Sequence, residues 1–309
     1  MNPSNFESFL KSTNVRISDP FFRFMYAILR IGQWVYPRGT ANFVRRKFFT
    51  PITKPAGKSQ MHWIHRATQY NVQSRGKRVS TWKIGDGPTI LFVHGWNGRG
   101  VQFHHFFQPA LDAGYALVFF DAPAHGISEG EMTNYLEVTA SLDAIFNHEI
   151  GKDIAGVVAH SMGASVIINH LSRYQQNIPL VLIAPALRLM ELLFASFEIH
   201  GVPKKTYLKL VHEVEDTFQI PLETQNPIDL IYKIKNKILI IHDKDDRITP
   251  IGPSQNVTSD LANIELIRTE GYGHTQLLRK DLVISQAIQF IHDQLGNSYI
   301  TNKEKTMAI

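Results

Sequence analysis

The chain of 309 residues contains no cysteine. Disulfide staples and cysteine-ligated metals are therefore excluded. No apolar run reaches the roughly 20 residues that a spanning helix requires. The most apolar stretch near the N-terminus, residues 21–36, is broken by Arg23, Arg30 and Gln33. Nor do the first residues show a basic start, an apolar stretch and a small-residue cleavage site in that order. A cytoplasmic protein is expected on those grounds. Also missing are a Gly-rich phosphate cradle, a dinucleotide fingerprint, internal repeats and low-complexity segments. No cofactor is expected.

Acidic residues are scarce at one end. Residues 1–80 hold 14 Lys and Arg but only Glu7 and Asp19, a net of +12, whereas the remainder nets −7. The two parts differ in kind, with a boundary near residue 80. A basic stretch invites a nucleic-acid reading, but no recognised module accompanies it, so no nucleic-acid partner is expected. His104 and His105 lie in a helical pattern without carboxylates at metal-ligand spacing, so no metal is expected there.

What the sequence does have is alternation. Residues 89–93 (TILFV), 116–120 (ALVFF), 154–159 (IAGVVA), 180–184 (LVLIA) and 237–241 (KILII) are short, near-continuous apolar runs. Strands buried on both faces of a parallel sheet read this way. Helix-length segments at 101–113, 133–149 and 162–174 separate them, and another follows at 276–295. Residues 263–268 (NIELIR) read as a further strand. Strand and helix in turn predict a doubly wound α/β sheet, mostly parallel, with right-handed crossovers. Residues 68–85 alternate around Arg75-Gly76 and predict an antiparallel hairpin at the sheet edge. The interval 187–236 is too long for one crossover and reads as an inserted helical cap. Residues 1–60 form an N-terminal helical extension, with Ser18-Asp19-Pro20 as a helix start. The division expected is thus 1–60 and 61–309, the latter carrying the cap.

Five constellations carry chemistry. Ala159-His160-Ser161-Met162-Gly163 stands between a strand and a helix, where a serine on a sharp turn is presented above the sheet and needs small neighbours two residues away. The pentapeptide alone is weak; its context makes it informative. His94-Gly95-Trp96 follows the first buried strand. In such an architecture the N–H groups of Trp96 and Met162 are expected to form an oxyanion hole. The loop from Asp121 to Ser128 (DAPAHGIS) ends another strand; Asp121, His125 and also His94 read as loop-shaping. The stretch 241–250 holds three candidate acids. Asp243 and Asp245 read better as solvated loop charges. Finally, Gly271-Tyr272-Gly273-His274 brings a histidine after the next strand, and it completes the order Ser, Asp, His.

With these residues the sequence resembles the α/β-hydrolase superfamily, over about residues 60–295. It is similar in particular to a group of uncharacterised bacterial hydrolases with HGW, DAPAHG and A/G-H-S-x-G motifs, here HGWNGRGVQ, DAPAHGIS and AHSMG. AHSMG also resembles the elbow of small Bacillus-type lipases. The resemblance implies a serine hydrolase of ester-type substrates, with Ser161 as nucleophile, His274 as base and Asp246 as the acid, because Pro250 follows four residues later. Asp243 replaces the usual glycine of that loop, which leaves Asp245 as runner-up. Acyl transfer, amide or peptide cleavage, and ligand binding without catalysis are the rival readings. The cap segment LRLMELLF points to an apolar acyl group. Residues 1–60 either pack with their aromatics buried or touch a membrane surface peripherally; oligomeric state is not legible.

Overall fold

Eight strands form one sheet in the computed structural model, which describes residues 20–307. Helices α1 (Pro20–Val35), α2 (Pro37–Phe49) and α3 (Lys58–Arg66) precede it. The strands are β1 (Thr68–Ser74), β2 (Lys77–Ile84), β3 (Thr89–Val93), β4 (Ala116–Phe120), β5 (Ile154–His160), β6 (Leu180–Ile183), β7 (Ile238–Asp243) and β8 (Ile264–Thr269). Between and after them lie α4 (His104–Asp112), α5 (Tyr135–Asn147), α6 (Met162–Tyr174), α7 (Leu189–Ile199), α8 (Lys204–Phe218), α9 (Gly252–Asp260) and α10 (Asp281–Met307). The expected cap at Ser18 and Asp19 lies outside the described residues.

The sheet order is β1-β2-β4-β3-β5-β6-β7-β8. Strands β3 to β8 are parallel, while β2 runs antiparallel to β4 and β1 to β2. Every residue of β3, β4, β6 and β7 is buried, which is why their sequences read as unbroken apolar runs rather than alternations. The β1–β2 hairpin turns at Arg75 and Gly76, both with positive φ, as the twist of the flanking strands requires. Asn134 caps α5 by accepting the Glu137 N–H at 3.0 Å, with Glu137 favourably placed in the first turn.

The described residues fall into two compact units. The larger spans 51–187 and 230 onwards and contains the sheet. Its core gathers Trp82, Phe92, Phe103, Phe106, Phe107 and Phe119 with branched residues of the central strands. Burial of each such ring contributes about 1.5–3 kcal/mol. The second unit comprises α1 and α2 with 188–229, the insertion that carries α7 and α8. Leu29, Val44, Phe197, Val202, Tyr207 and Leu210 form its own core. There the Phe197 and Tyr207 rings stack at 5.4 Å, and Arg45 pairs with Glu213.

One expected helix is subdivided. The pattern at 276–295 enters its long helix only at Asp281, after single turns at Gly273–Gln276 and Leu277–Arg279. Leu277 and Leu278 are buried in the main core, and anchoring them there interrupts the helical path.

Candidate active site

The site is built at the carboxyl ends of β3, β4, β5, β7 and β8. Ser161 is the hinge between β5 and α6, with φ 56° and ψ −123°. A non-glycine residue held there stores on the order of 1–3 kcal/mol of strain. Backbone hydrogen bonds hold it: Ser161 N–H donates to the Ile183 carbonyl (3.0 Å), and its own carbonyl accepts from Ala164 (3.1 Å) and Ala186 (3.2 Å). The sharp turn presses the chain against its neighbours. A Cβ on Gly163 would strike the carbonyl oxygens of Val93 and His94, and one on Gly95 would lie 2.8 Å from Ser161 Cβ. Glycine at both positions lets the loop after β3 lie against the serine.

His274 sits in the one-turn helix after β8. Its Nε2 is 2.9 Å from Ser161 Oγ, and its Nδ1 is 2.7 Å from Asp246 Oδ2. If Nδ1 carries the proton and donates it to Asp246, Nε2 is left to accept from the serine hydroxyl. Asp246 is buried. Its Oδ1 accepts the N–H groups of Ile248 (2.8 Å) and Thr249 (2.9 Å). Burial alone would raise its pKa, but hydrogen bonds from His242, His274 and the Thr249 amide outweigh burial and hold it well below the usual carboxylate range. It is therefore charged at neutral pH.

The three aspartates differ sharply. Asp245 is exposed and accepts the Gly271 N–H at 3.0 Å. Asp243 was expected to be a solvated loop charge, and the structure corrects this: it is fully buried. Its carboxylate accepts from the Thr269 hydroxyl (2.8 Å), Tyr272 N–H (3.0 Å) and Asp245 N–H (3.0 Å). Burial raises its pKa, and these donors together lower it below the ordinary value. Asp243 thus ties the end of β7 to the loop that delivers His274. Its position inside the strand register, opposite Thr269, is a tertiary feature that the loop-like string of charges conceals.

Trp96 follows Gly95 in the loop that lies against Ser161, and Met162 is the residue after the serine in the chain. Met162 opens α6, so its N–H has no partner within the helix. Among the described residues no backbone or side-chain acceptor takes the Trp96 or Met162 N–H. Their loops are fixed by buried polar groups. His94 donates from Nδ1 to the Gly95 carbonyl (2.8 Å) and accepts the Ala122 N–H at Nε2 (2.9 Å). Burial, reinforced by His125, keeps it neutral and its pKa well below normal. Asp121 accepts from Gly100 (2.9 Å) and Ile127 (3.0 Å), and its pKa is raised by burial. The His125 ring packs edge-on against Trp96 at 5.4 Å. All three shape loops, as the sequence indicated, and none contacts Ser161 Oγ or the His274 ring nitrogens.

Two contributors escaped sequence reading. Thr249 Oγ1 lies 2.9 Å from Asp246 Oδ2, 3.1 Å from His274 Nδ1 and 3.2 Å from the Ala184 carbonyl. An aspartate followed by threonine three residues later is the local signal, since the carboxylate caps the N–H groups that follow it. His160 donates from Nε2 to the His274 carbonyl at 3.0 Å, and burial, then the nearby His274, lowers its pKa to about 3. No local pattern announces that contact, whose partners are 114 residues apart. Among the described residues no three His, Asp or Glu side chains converge as a metal site, and no helix is long and apolar enough to cross a membrane.

A serine-histidine-aspartate series at the carboxyl end of a doubly wound sheet, with its aspartate buried, defines a class, and the chain belongs to it: the alpha/beta hydrolase family model matches residues 90–281, and the protein is a member of that family. No curated protein matches it in sequence. Solved structures do match in fold. The esterase Pf2001 of Pyrococcus furiosus is 19% identical, over 80% of this chain and 97% of the esterase, with a TM-score of 0.58. The esterase EaEST from Exiguobacterium antarcticum is 16% identical, over 73% and 100%, with a TM-score of 0.56. The meta-cleavage product hydrolase CumD from Pseudomonas fluorescens is 17% identical, over 73% and 98%, with a TM-score of 0.54. At these identities the likeness is one of architecture.

Proposed function

We propose that the protein is a serine hydrolase of carboxylic esters. Ser161 Oγ attacks the ester carbonyl while His274 Nε2 takes its proton. The alkoxide that develops is held by the N–H groups of Trp96 and Met162, which are otherwise unengaged. His274 then protonates the leaving alcohol, and an acyl-enzyme on Ser161 forms. Water, deprotonated by the same imidazole, cleaves it. Asp246 keeps the Nδ1–H tautomer and stabilises the imidazolium. No cofactor enters either step. A small ester with an apolar acyl group is the substrate class, on the strength of the apolar LRLMELLF segment of the insertion; esterases are among the proteins that share this fold.

The observation that carries the reading is the unbroken series Ser161 Oγ–His274–Asp246 at 2.9 and 2.7 Å, behind a serine with φ 56°. A fluorophosphonate probe tests it directly. Labelling of the wild type, its loss in Ser161→Ala, and turnover of nitrophenyl esters that rises with acyl length support the proposal. Removal of a nucleophile of this kind costs about a million-fold in turnover. Folded protein that is inert to the probe would instead make this a ligand-binding member of the family.

A further inference from the structure

The α1–α2 pair displays a surface that its own core does not use. Along α1, Phe24, Ile28, Ile31 and Val35 recur at spacings of four, three and four, so they share one face. Leu29, which enters the unit's core, points nearly the opposite way. The shared face is open: Phe24 is 65% exposed, Ile31 64% and Val35 78%. Trp34 on its flank is 74% exposed, and Tyr36 and Phe43 continue the exposed aromatic surface. Scattered apolar residues are normal on any surface; a contiguous stripe ending in aromatics is not. Of the two readings of these aromatics, burial does not hold at Phe24, Trp34, Tyr36 and Phe43.

Charge decides what fits the stripe. From residue 20 to residue 85 the sequence has no Asp or Glu. Arg38 and Lys47 on α2 are exposed, and so is Lys205 on α8, whose Nζ lies 5.3 Å from the Trp34 ring centroid. A second copy docked by this face would bring like charges together. An anionic bilayer answers both features, since acyl chains receive the apolar stripe, headgroups attract the cations, and Trp and Tyr favour the boundary between them.

We propose that the face of α1, with the basic side chains beside it, is a peripheral docking surface for an anionic lipid membrane. The helix lies in the interface without crossing it. The test uses the full chain and sedimentation with vesicles of phosphatidylcholine alone or with increasing phosphatidylserine. Binding is expected to rise with phosphatidylserine and to fall with salt. Each basic residue near such a surface is worth about fivefold in partition, so Arg38→Gln with Lys47→Gln should weaken binding about 25-fold. Ile31→Glu with Trp34→Glu should abolish it. Both pairs are exposed, so thermal melting and hydrolysis of a soluble short-chain ester should match the wild type. Three results would overturn the proposal: no vesicle binding at low salt, equal binding to neutral vesicles, or binding that survives Ile31→Glu with Trp34→Glu. A wild-type dimer that this last variant splits would overturn it too, by making the occupant a second copy. Vesicle binding does not depend on turnover, so its failure and the failure of the hydrolase reading are separately visible.

Discussion

Asp246→Asn removes one charge and exchanges one carboxylate oxygen for an amide nitrogen. The backbone decides which. Oδ1 receives two fixed N–H donors, Ile248 at 2.8 Å and Thr249 at 2.9 Å, so the asparagine carbonyl must take that place. The NH2 group then faces His274 Nδ1 at the position Oδ2 now holds, 2.7 Å away. The amide favours Nδ1 as the acceptor, which moves the ring proton to Nε2 in most molecules. In that tautomer Nε2 cannot take the proton of Ser161 Oγ across its 2.9 Å contact. The expected loss in acylation is about ten-thousand-fold, or about 5.5 kcal/mol of barrier. Thr249 should limit the damage, because its hydroxyl can donate to the Ala184 carbonyl and accept from Nδ1. Thr249→Val in the Asp246→Asn background should therefore lose more than the two single changes predict. Asp245→Asn alters an exposed carboxylate and should leave acylation near wild type. The assay is stopped-flow acylation by a nitrophenyl ester, with thermal melting as the check on folding. If Asp246→Asn keeps about a tenth of the wild-type rate, a loss of only about 1.4 kcal/mol, or if Asp245→Asn is the crippled variant, the reasoning is wrong.

Asp243→Asn should lower the urea midpoint, at about 1–3 kcal/mol for a buried acceptor left mismatched, and reduce turnover less than Asp246→Asn; an unchanged midpoint would mean the Thr269 and Tyr272 contacts are unimportant. Gly163→Ala places a methyl against two backbone carbonyls and should destabilise the fold by about 1–3 kcal/mol, read as a lower melting temperature. Stability should also depend on pH through three buried histidines. Burial lowers His160 to about 3 and His125 to about 4, and it holds His94 well below its ordinary value. Between those values and about 6.5 the unfolded chain binds more protons, so stability is present above 6.5 and lost as pH falls through that window. His160 and His125 should each cost about 2 kcal/mol at pH 5 relative to pH 7.5, about 4 kcal/mol together, and His94 adds a cost in the same direction. The raised pKa of Asp121 works in the opposite direction and offsets part of this. Equal urea midpoints at the two pH values would contradict the burial of neutral imidazoles.

The central strands were legible because they are buried on both faces, a local property that writes itself into four or five consecutive apolar residues. The serine turn was legible for a related reason: only small residues tolerate the close approach around Ser161. By contrast, Asp243, Asp245 and Asp246 share a loop-like string of charges, and residue type says nothing about which carboxylate turns inward. That was settled by the neighbours each one meets. Asp246 finds His274, 28 positions on, whereas Asp243 finds Thr269 on the adjacent strand and Asp245 remains at the surface.

The N-terminal helices show the same division. Their basic, aromatic composition was fixed by sequence, and so was the helical period of α1. Which aromatics are inside was not, because helical residues of like chemistry are sorted only by what packs against them. The insertion carrying α7 and α8 takes Leu29 and Val44 into its core and leaves Phe24 and Trp34 outside. The sequence by itself determined the parallel sheet, the chain order of a serine, an aspartate-rich loop and a histidine, and the position of the serine turn, since these follow from periodicity, residue size and chain order; which aspartate of that loop meets His274 did not follow from them. Only the tertiary structure decided the burial of Asp243, the Thr249 and His160 contacts on the histidine, and the open face of α1, since each depends on atoms brought together from distant stretches of chain.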